Sequence, residues 1–241
     1  MEKLIYVFWR GDEDPVRLRE RFVSEVEPKL LALGVERLQL NVADLGDLSD
    51  AVEHLRLSSG DATKPDGFVS FWLSSAWRRE PAERLIAGAF ARIAGYSVVE
   101  STVLPNVAHP PRAGERTYGF SQVTFLQVPP RLTYEEWRNI WANDHTRIGV
   151  ETQANFRYVQ NVVVQALTPD APPWRGIVEE SFPPEALRDL HVFYDAVGDE
   201  ARLQRHLEQM MASCARFIDF DRVDVIATSE YVRQPQPEPR L

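Results

Sequence analysis

The sequence predicts an α+β fold in which two ferredoxin-like βαββαβ units of one chain pack sheet to sheet as a pseudo-dimeric α+β barrel. Three observations predict it. The same order of strand-like and helix-like segments occurs twice, in residues 1–112 and again in 113–233. The strands of both series are apolar on both faces, so each sheet needs cover on the side its own helices leave bare. A Pro- and Gly-rich stretch, LPNVAHPPRAGERTYG, lies between the series and reads as a linker.

The first series opens with Leu4 to Trp9, where Leu4, Tyr6 and Phe8 alternate with Ile5, Val7 and Trp9. Leu18, Phe22, Val26, Leu30 and Leu33 recur at helical spacing over about residues 16–33. Leu38 to Val42 reads as a strand, and a short helix is expected around Ser49 to Arg56. GFVSFWLS then gives a third strand, AERLIAGAFARIA a second helix and YSVVESTVL a fourth strand. The second series runs FSQVTFLQV, a helix from Tyr134 to about Thr152, RYVQNVVVQAL and GIVEESF. Helical patterns over Pro184 to Asp195 and Asp199 to Ala212 follow, and VDVIATSEY closes it. The repeat is one of pattern rather than of identity. The polar, Pro-rich tail 234–241 is expected to be disordered. The alternative cover for the bare sheet faces is another subunit, and the oligomer considered is a homodimer of the pseudo-dimeric chain.

Composition narrows the function. With 241 residues, 44% of them hydrophobic and 26% charged, the chain is long enough for a real core. The single Cys214 excludes an internal disulfide framework and a thiolate-rich metal site. A net charge of −9 with interspersed signs offers no basic surface for a phosphate backbone, so nucleic acid is not an expected partner. The N-terminus MEKLIYVFWRGDED is too charged for a signal peptide, and no run reaches the ~18 apolar residues of a membrane span. A cytoplasmic location is expected.

LTYEEW is a capping box, Thr133 with Glu136, which starts a helix near Tyr134. At about 100° per residue, Trp137, Ile140, Trp141, Asp144 and Ile148 share one stripe, with His145 at its rim beside Thr152. An ionisable pair thus sits on or beside a face built for burial. Neighbours in sequence do not face each other on a helix, so Asp144 and His145 each need a separate partner. In the first series the matching positions are Leu18, Phe22, Glu25 and Val26, so the fold itself accepts an aliphatic residue where the second has His145. His145 is either a functional group or a packing His satisfied by a carbonyl.

Other signals are weaker. His54, His109, His191 and His206 have no partners at metal-ligand spacing, no Gly-rich phosphate loop occurs, and no nucleophile elbow is present. The expectation is a protein without haem, flavin or metal, and so without a cofactor. Glu179 and Glu180 alternate along GIVEESF, one to each sheet face, as a candidate acid or base or as a structural ion pair.

The run W-x-x-x-H from Trp141 to His145, the Y-x-Q-N at Tyr158 to Asn161, GIVEESF with Glu179 and Phe182, and FIDFDRVDVIATSEYV together resemble the EthD-like family. That family belongs to the dimeric α+β barrel superfamily, and the resemblance covers about residues 118–233. The sequence departs from it at Arg147, where members often carry Pro, and at Val162, where many carry a second His. The resemblance implies that His145 is catalytic or ligand-orienting and that Tyr158, Gln160 and Glu179 are motif positions. It also implies dehydratase-like or decarboxylase-like relatives. The expected function is accordingly a cofactor-independent lyase or isomerase acting on a small hydrophobic, aromatic or polycyclic metabolite. His145, Asp144 and Glu179 would be catalytic, and Tyr158, Gln160, Trp141 and Trp137 would bind substrate. The alternative is a non-catalytic carrier of such a metabolite.

Overall fold

The computed structural model describes residues 1–45 and 64–233. The short helix expected around residues 49–56 and the tail 234–241 lie outside the described residues. The chain begins with β1 (Glu2–Trp9), then α1 (Pro15–Arg21) and α2 (Glu27–Ala32), joined without a break by the π-helical turn Phe22–Val26. β2 (Glu36–Val42), β3 (Gly67–Leu73), α3 (Glu80–Ala87) and β4 (Arg92–Leu104) complete this half. β5 (Phe120–Leu126) is followed by α4 (Tyr134–Asn139) and α5 (Thr146–Thr152), again joined by a π-helical turn, Ile140–His145. β6 (Arg157–Ala166), β7 (Gly176–Phe182), α6 (Leu190–Phe193), α7 (Glu200–Phe217) and β8 (Asp224–Val232) follow.

Two helical expectations are corrected at their ends. The pattern AERLIAGAFARIA ran into residues that belong to β4, because the helix stops at the Gly88 cap and Arg92 to Ala94 pair with Trp9 to Val7 of β1. The pattern over 184–195 yields only a single 3-10 turn and the short α6.

The strands form one closed antiparallel barrel in the order β1-β3-β2-β8-β5-β7-β6-β4. This differs from two separate sheets laid face to face. β2 pairs with β8 and β4 with β6, so edge N–H and C=O groups that an open sheet would leave unpaired are bonded across both seams. The double-faced strands are thereby explained. Leu4, Tyr6 and Phe8 of β1 pack outward against Leu18, Phe22 and Leu30, while Ile5, Val7 and Trp9 point into the barrel with Tyr96, Phe125 and Trp174. Outside the second half, Trp137 and Trp141 pack with Tyr158, Val178 and Phe217.

The barrel interior changes character along its length. At the end where Lys3 replaces the apolar residues of β1, its ammonium donates to Asn161 (2.8 Å) and Glu179 (3.2 Å). Arg157 lies 3.1 Å from both Glu179 and Glu230, and Gln39 donates to Glu179 at 2.8 Å. Buried charges are tolerated there because each has opposite charge and hydrogen bonds at hand.

Candidate functional site

The pleat of three adjacent strands lays out the floor of a cavity. Gln122 of β5 faces Glu180 of β7, which faces Tyr158 of β6, so these three side chains form one row on the outer side of the barrel. Thr124, Val178 and Gln160 form the next row by the same register. The π-helical turn Ile140–His145 together with α6 and α7 covers this floor and bounds a cavity of about 240 Å³. Its wall is largely apolar, including Trp141, Met210 and Phe217, with Glu180, His145 and Tyr158 as polar groups.

Glu180 is 8% exposed and accepts a hydrogen bond from Asn155 Nδ2 at 3.1 Å. Gln122 also bonds it, and no cation pairs with it among the described residues. Burial therefore dominates and raises its pKa to about 7, against the lowering by the two amides. Burial raises Tyr194 and Cys214, which also line the cavity, to about 12, and the negative charge of Glu180 adds to both shifts. Cys214 stays a thiol.

His145 Nδ1 lies 2.9 Å from Ser213 Oγ of α7, and its ring stacks at a tilt on Phe217. Burial without a charged partner lowers its pKa to about 4, so the imidazole is neutral near pH 7. With Nδ1 engaged by Ser213, Nε2 is left for the cavity. The Tyr158 hydroxyl accepts from Gln160 Nε2 at 2.9 Å, and Gln160 also donates to Thr146 at 2.8 Å. Burial raises the Tyr158 pKa, so it keeps its proton and can donate.

The residues expected to act together are not brought together. Asp144 is half-exposed and paired with Arg216 at 2.7 Å, on the outer surface of the α4–α5 segment. Glu179 points through the sheet into the barrel, where Lys3 and Arg157 hold its carboxyl well below the usual range despite complete burial. Of the expected set, His145, Tyr158 and Trp141 line the cavity. Gln160 stands behind Tyr158, and Trp137 packs beside Trp141 over Gly176 without reaching the cavity. Gln122, Asn155 and Ser213 were not foreseen, and of the two candidate carboxylates Glu179 was chosen where Glu180 lines the cavity. The alternation of Glu179 and Glu180 was the available signal, but choosing the face required the register of β7.

Two further histidines are accounted for by backbone: Nδ1 of His191 meets Ala196 O at 3.2 Å and that of His206 meets Tyr194 O at 2.6 Å. Among the described residues no group of three or more His, Cys, Asp and Glu is placed to hold a metal ion. No described helix is long and apolar enough to cross a membrane.

No family model and no curated protein matches the chain. Among solved structures, the chain is similar to an anthrone oxidase-like protein, with a TM-score of 0.53 at 11% identity over 100% of this chain and 96% of that one. It is also similar to a "putative monooxygenase" of Fusobacterium nucleatum subsp. nucleatum, with a TM-score of 0.50 at 9% identity over 100% and 95% of the two chains. The shared fold is the dimeric α+β barrel type. The proteins sharing it are named for oxidative chemistry, which corrects the expectation of a cofactor-independent lyase or isomerase. The physical basis of that expectation also fails. It needed His145 beside Asp144 or Glu179 to move protons, and those carboxylates are spent on Arg216 at the surface and on Lys3 and Arg157 inside the barrel.

Proposed function

We propose that the cavity is the active site of an oxidative enzyme acting on a small aromatic or polycyclic molecule with an acidified C–H group, and that Glu180 is the base. One observation carries this reading: a buried carboxylate that no cation among the described residues pairs with, oriented by Asn155 and Gln122, stands at the floor of a largely apolar cavity. The names of the two similar structures, anthrone oxidase-like and monooxygenase, support oxidation as the reaction class. At about 240 Å³ the space lies just below the roughly 300–1,000 Å³ of drug-sized sites, in keeping with a compact ring system.

In this reading Glu180 takes a proton from a ring methylene flanked by a carbonyl or arenes. The resulting carbanion gives its electrons to dioxygen, forming a C–O bond. Glu180 returns the proton to the terminal peroxide oxygen. Loss of the second methylene proton together with that hydroxyl, as water, leaves a ketone. Methylene plus dioxygen thus becomes ketone plus water, and the substrate supplies all the electrons. Tyr158 donates to the substrate oxygen on which negative charge develops, and neutral His145 fixes a second polar group through Nε2. The ordered motifs of the second half support a place in the EthD-like family. The order β4-β1-β3-β2 followed by β8-β5-β7-β6 supports a tandem of ferredoxin-like halves, residues 1–112 and 113–233.

The test is dioxygen uptake with anthrone as probe, corrected for its spontaneous oxidation. Wild-type turnover should rise with pH through about 7, and Glu180→Gln should lose roughly 10²- to 10⁴-fold. Uptake no faster than the spontaneous rate, or an undiminished Glu180→Gln, would overturn the reading.

A further inference from the structure

The mouth of the cavity is as informative as its floor. Leu190, Met211 and Phe220 all line it, yet they are 49%, 50% and 43% exposed. Three large apolar side chains from three separate segments, α6, α7 and the 3-10 turn Phe220–Arg222, converge on one opening. Scattered exposed apolar residues need no explanation, but a contiguous cluster continuous with a binding cavity does. Met211 adds a flexible, polarisable surface that fits irregular apolar shapes.

We propose that Leu190, Met211 and Phe220 form an outer subsite that holds an apolar extension of the substrate, so that the ligand class is a ring system bearing an alkyl chain or further rings. This rests on the cavity being the active site. The ring with its reacting carbon sits at Glu180 and Tyr158, and the extension passes out between α6 and α7 across the collar. Burying it there removes apolar surface of both partners from water at once.

The experiment uses 4-alkylphenols of increasing chain length, from 4-methylphenol to 4-octylphenol, titrated calorimetrically into the full chain. The wild type should gain roughly two- to fourfold in affinity per methylene, with a more negative heat capacity change for the longer members. In the Leu190→Asn/Met211→Asn double variant, 4-methylphenol should bind within twofold of wild type while the gain levels off once the chain leaves the cavity. Both positions are half-exposed, so the variant is expected to fold. A wild type that binds every member equally, or a double variant that keeps the full gain, overturns the outer subsite alone, provided that Glu180→Gln still shows its loss of anthrone oxidation. Failure of all alkylphenols to bind, together with an undiminished Glu180→Gln, overturns the active-site reading and the subsite with it. A wild-type dimer that the double variant dissociates, with alkylphenol affinities unchanged, shows that the collar meets a second chain and also overturns the proposal.

Discussion

Two neighbouring glutamates have opposite environments because a strand turns successive side chains to opposite faces. Glu179 is matched by Lys3 and Arg157 in the barrel, and Glu180 faces a largely apolar cavity, held by the amides of Asn155 and Gln122 and with no cation paired to it among the described residues. Removing one partner of a buried ion network leaves the others uncompensated, so Glu179→Ala should cost about 3–5 kcal/mol in chemical denaturation. Glu180→Gln should leave the fold intact at neutral pH while removing the proposed base. Equal stability of the two variants at pH 8 would contradict this division of roles. For His145, whose ring is neutral near pH 7, His145→Asn should lower turnover without moving the pH midpoint set by Glu180. Ser213→Ala should do the same more weakly, as a positioning residue acting through Nδ1 of His145. A shifted midpoint in either variant would make the imidazole, not Glu180, the titrating group.

At the scale of elements, the helical stripe predicted from a regular repeat places Asp144 and Ile148 inward. The π-helical turn at Ile140–His145 inserts an extra residue into that repeat and rotates everything after it. The inward set becomes Trp137, Trp141, His145, Gly149 and Thr152, and Asp144 is carried out to Arg216. A similar turn at Phe22–Val26 in the first half shows that the distortion belongs to how these helices lie on the barrel, not to the histidine. The two tryptophans rest on β7 only because position 176 lacks a side chain. A Cβ there would come within 2.7 Å of Trp141 and 3.3 Å of Trp137. Gly176→Ala should therefore destabilise by about 1–3 kcal/mol and displace the Trp141 wall of the cavity, read as a lower thermal midpoint and an altered tryptophan spectrum. An unchanged midpoint would mean that the tryptophans shift at little cost.

For the whole molecule, the two buried titrating groups of the cavity act on stability in opposite directions. Glu180, raised from 4.5 to about 7, contributes stability that is complete below about 4.5 and lost as pH rises through 7. His145, lowered from 6.5 to about 4, contributes stability that is complete above 6.5 and lost as pH falls through 4. Each is worth about 3 kcal/mol, so between about 4.5 and 6.5 their slopes cancel. Glu180→Gln should gain about 3 kcal/mol on the wild type as pH rises from 5 to 8, and His145→Asn should gain a similar amount as pH falls from 7 to 4. Urea unfolding across this range checks both, and parallel curves for wild type and Glu180→Gln would show that Glu180 titrates normally.

What the sequence by itself determined is local and periodic. Apolar side chains on both faces of Leu4–Trp9 required cover on both sides, and Thr133 and Glu136 set the start of α4. That Trp141 and His145 lie on or beside the inward face of their helix was also legible from the stripe, while Tyr158 was singled out by motif alone; all three line the cavity. Only the tertiary structure decided which of two adjacent carboxylates meets the cavity, because side-chain facing depends on pairing register between β5, β7 and β6, segments tens of residues apart. It also decided the fate of Asp144, because a π-helical turn changes the phase of a helix without any mark in the hydrophobic pattern. Closure was decided there too: two sheets facing each other and one sheet closed on itself need the same apolar strands, and they differ in whether the edge hydrogen bonds of β2 and β4 find β8 and β6.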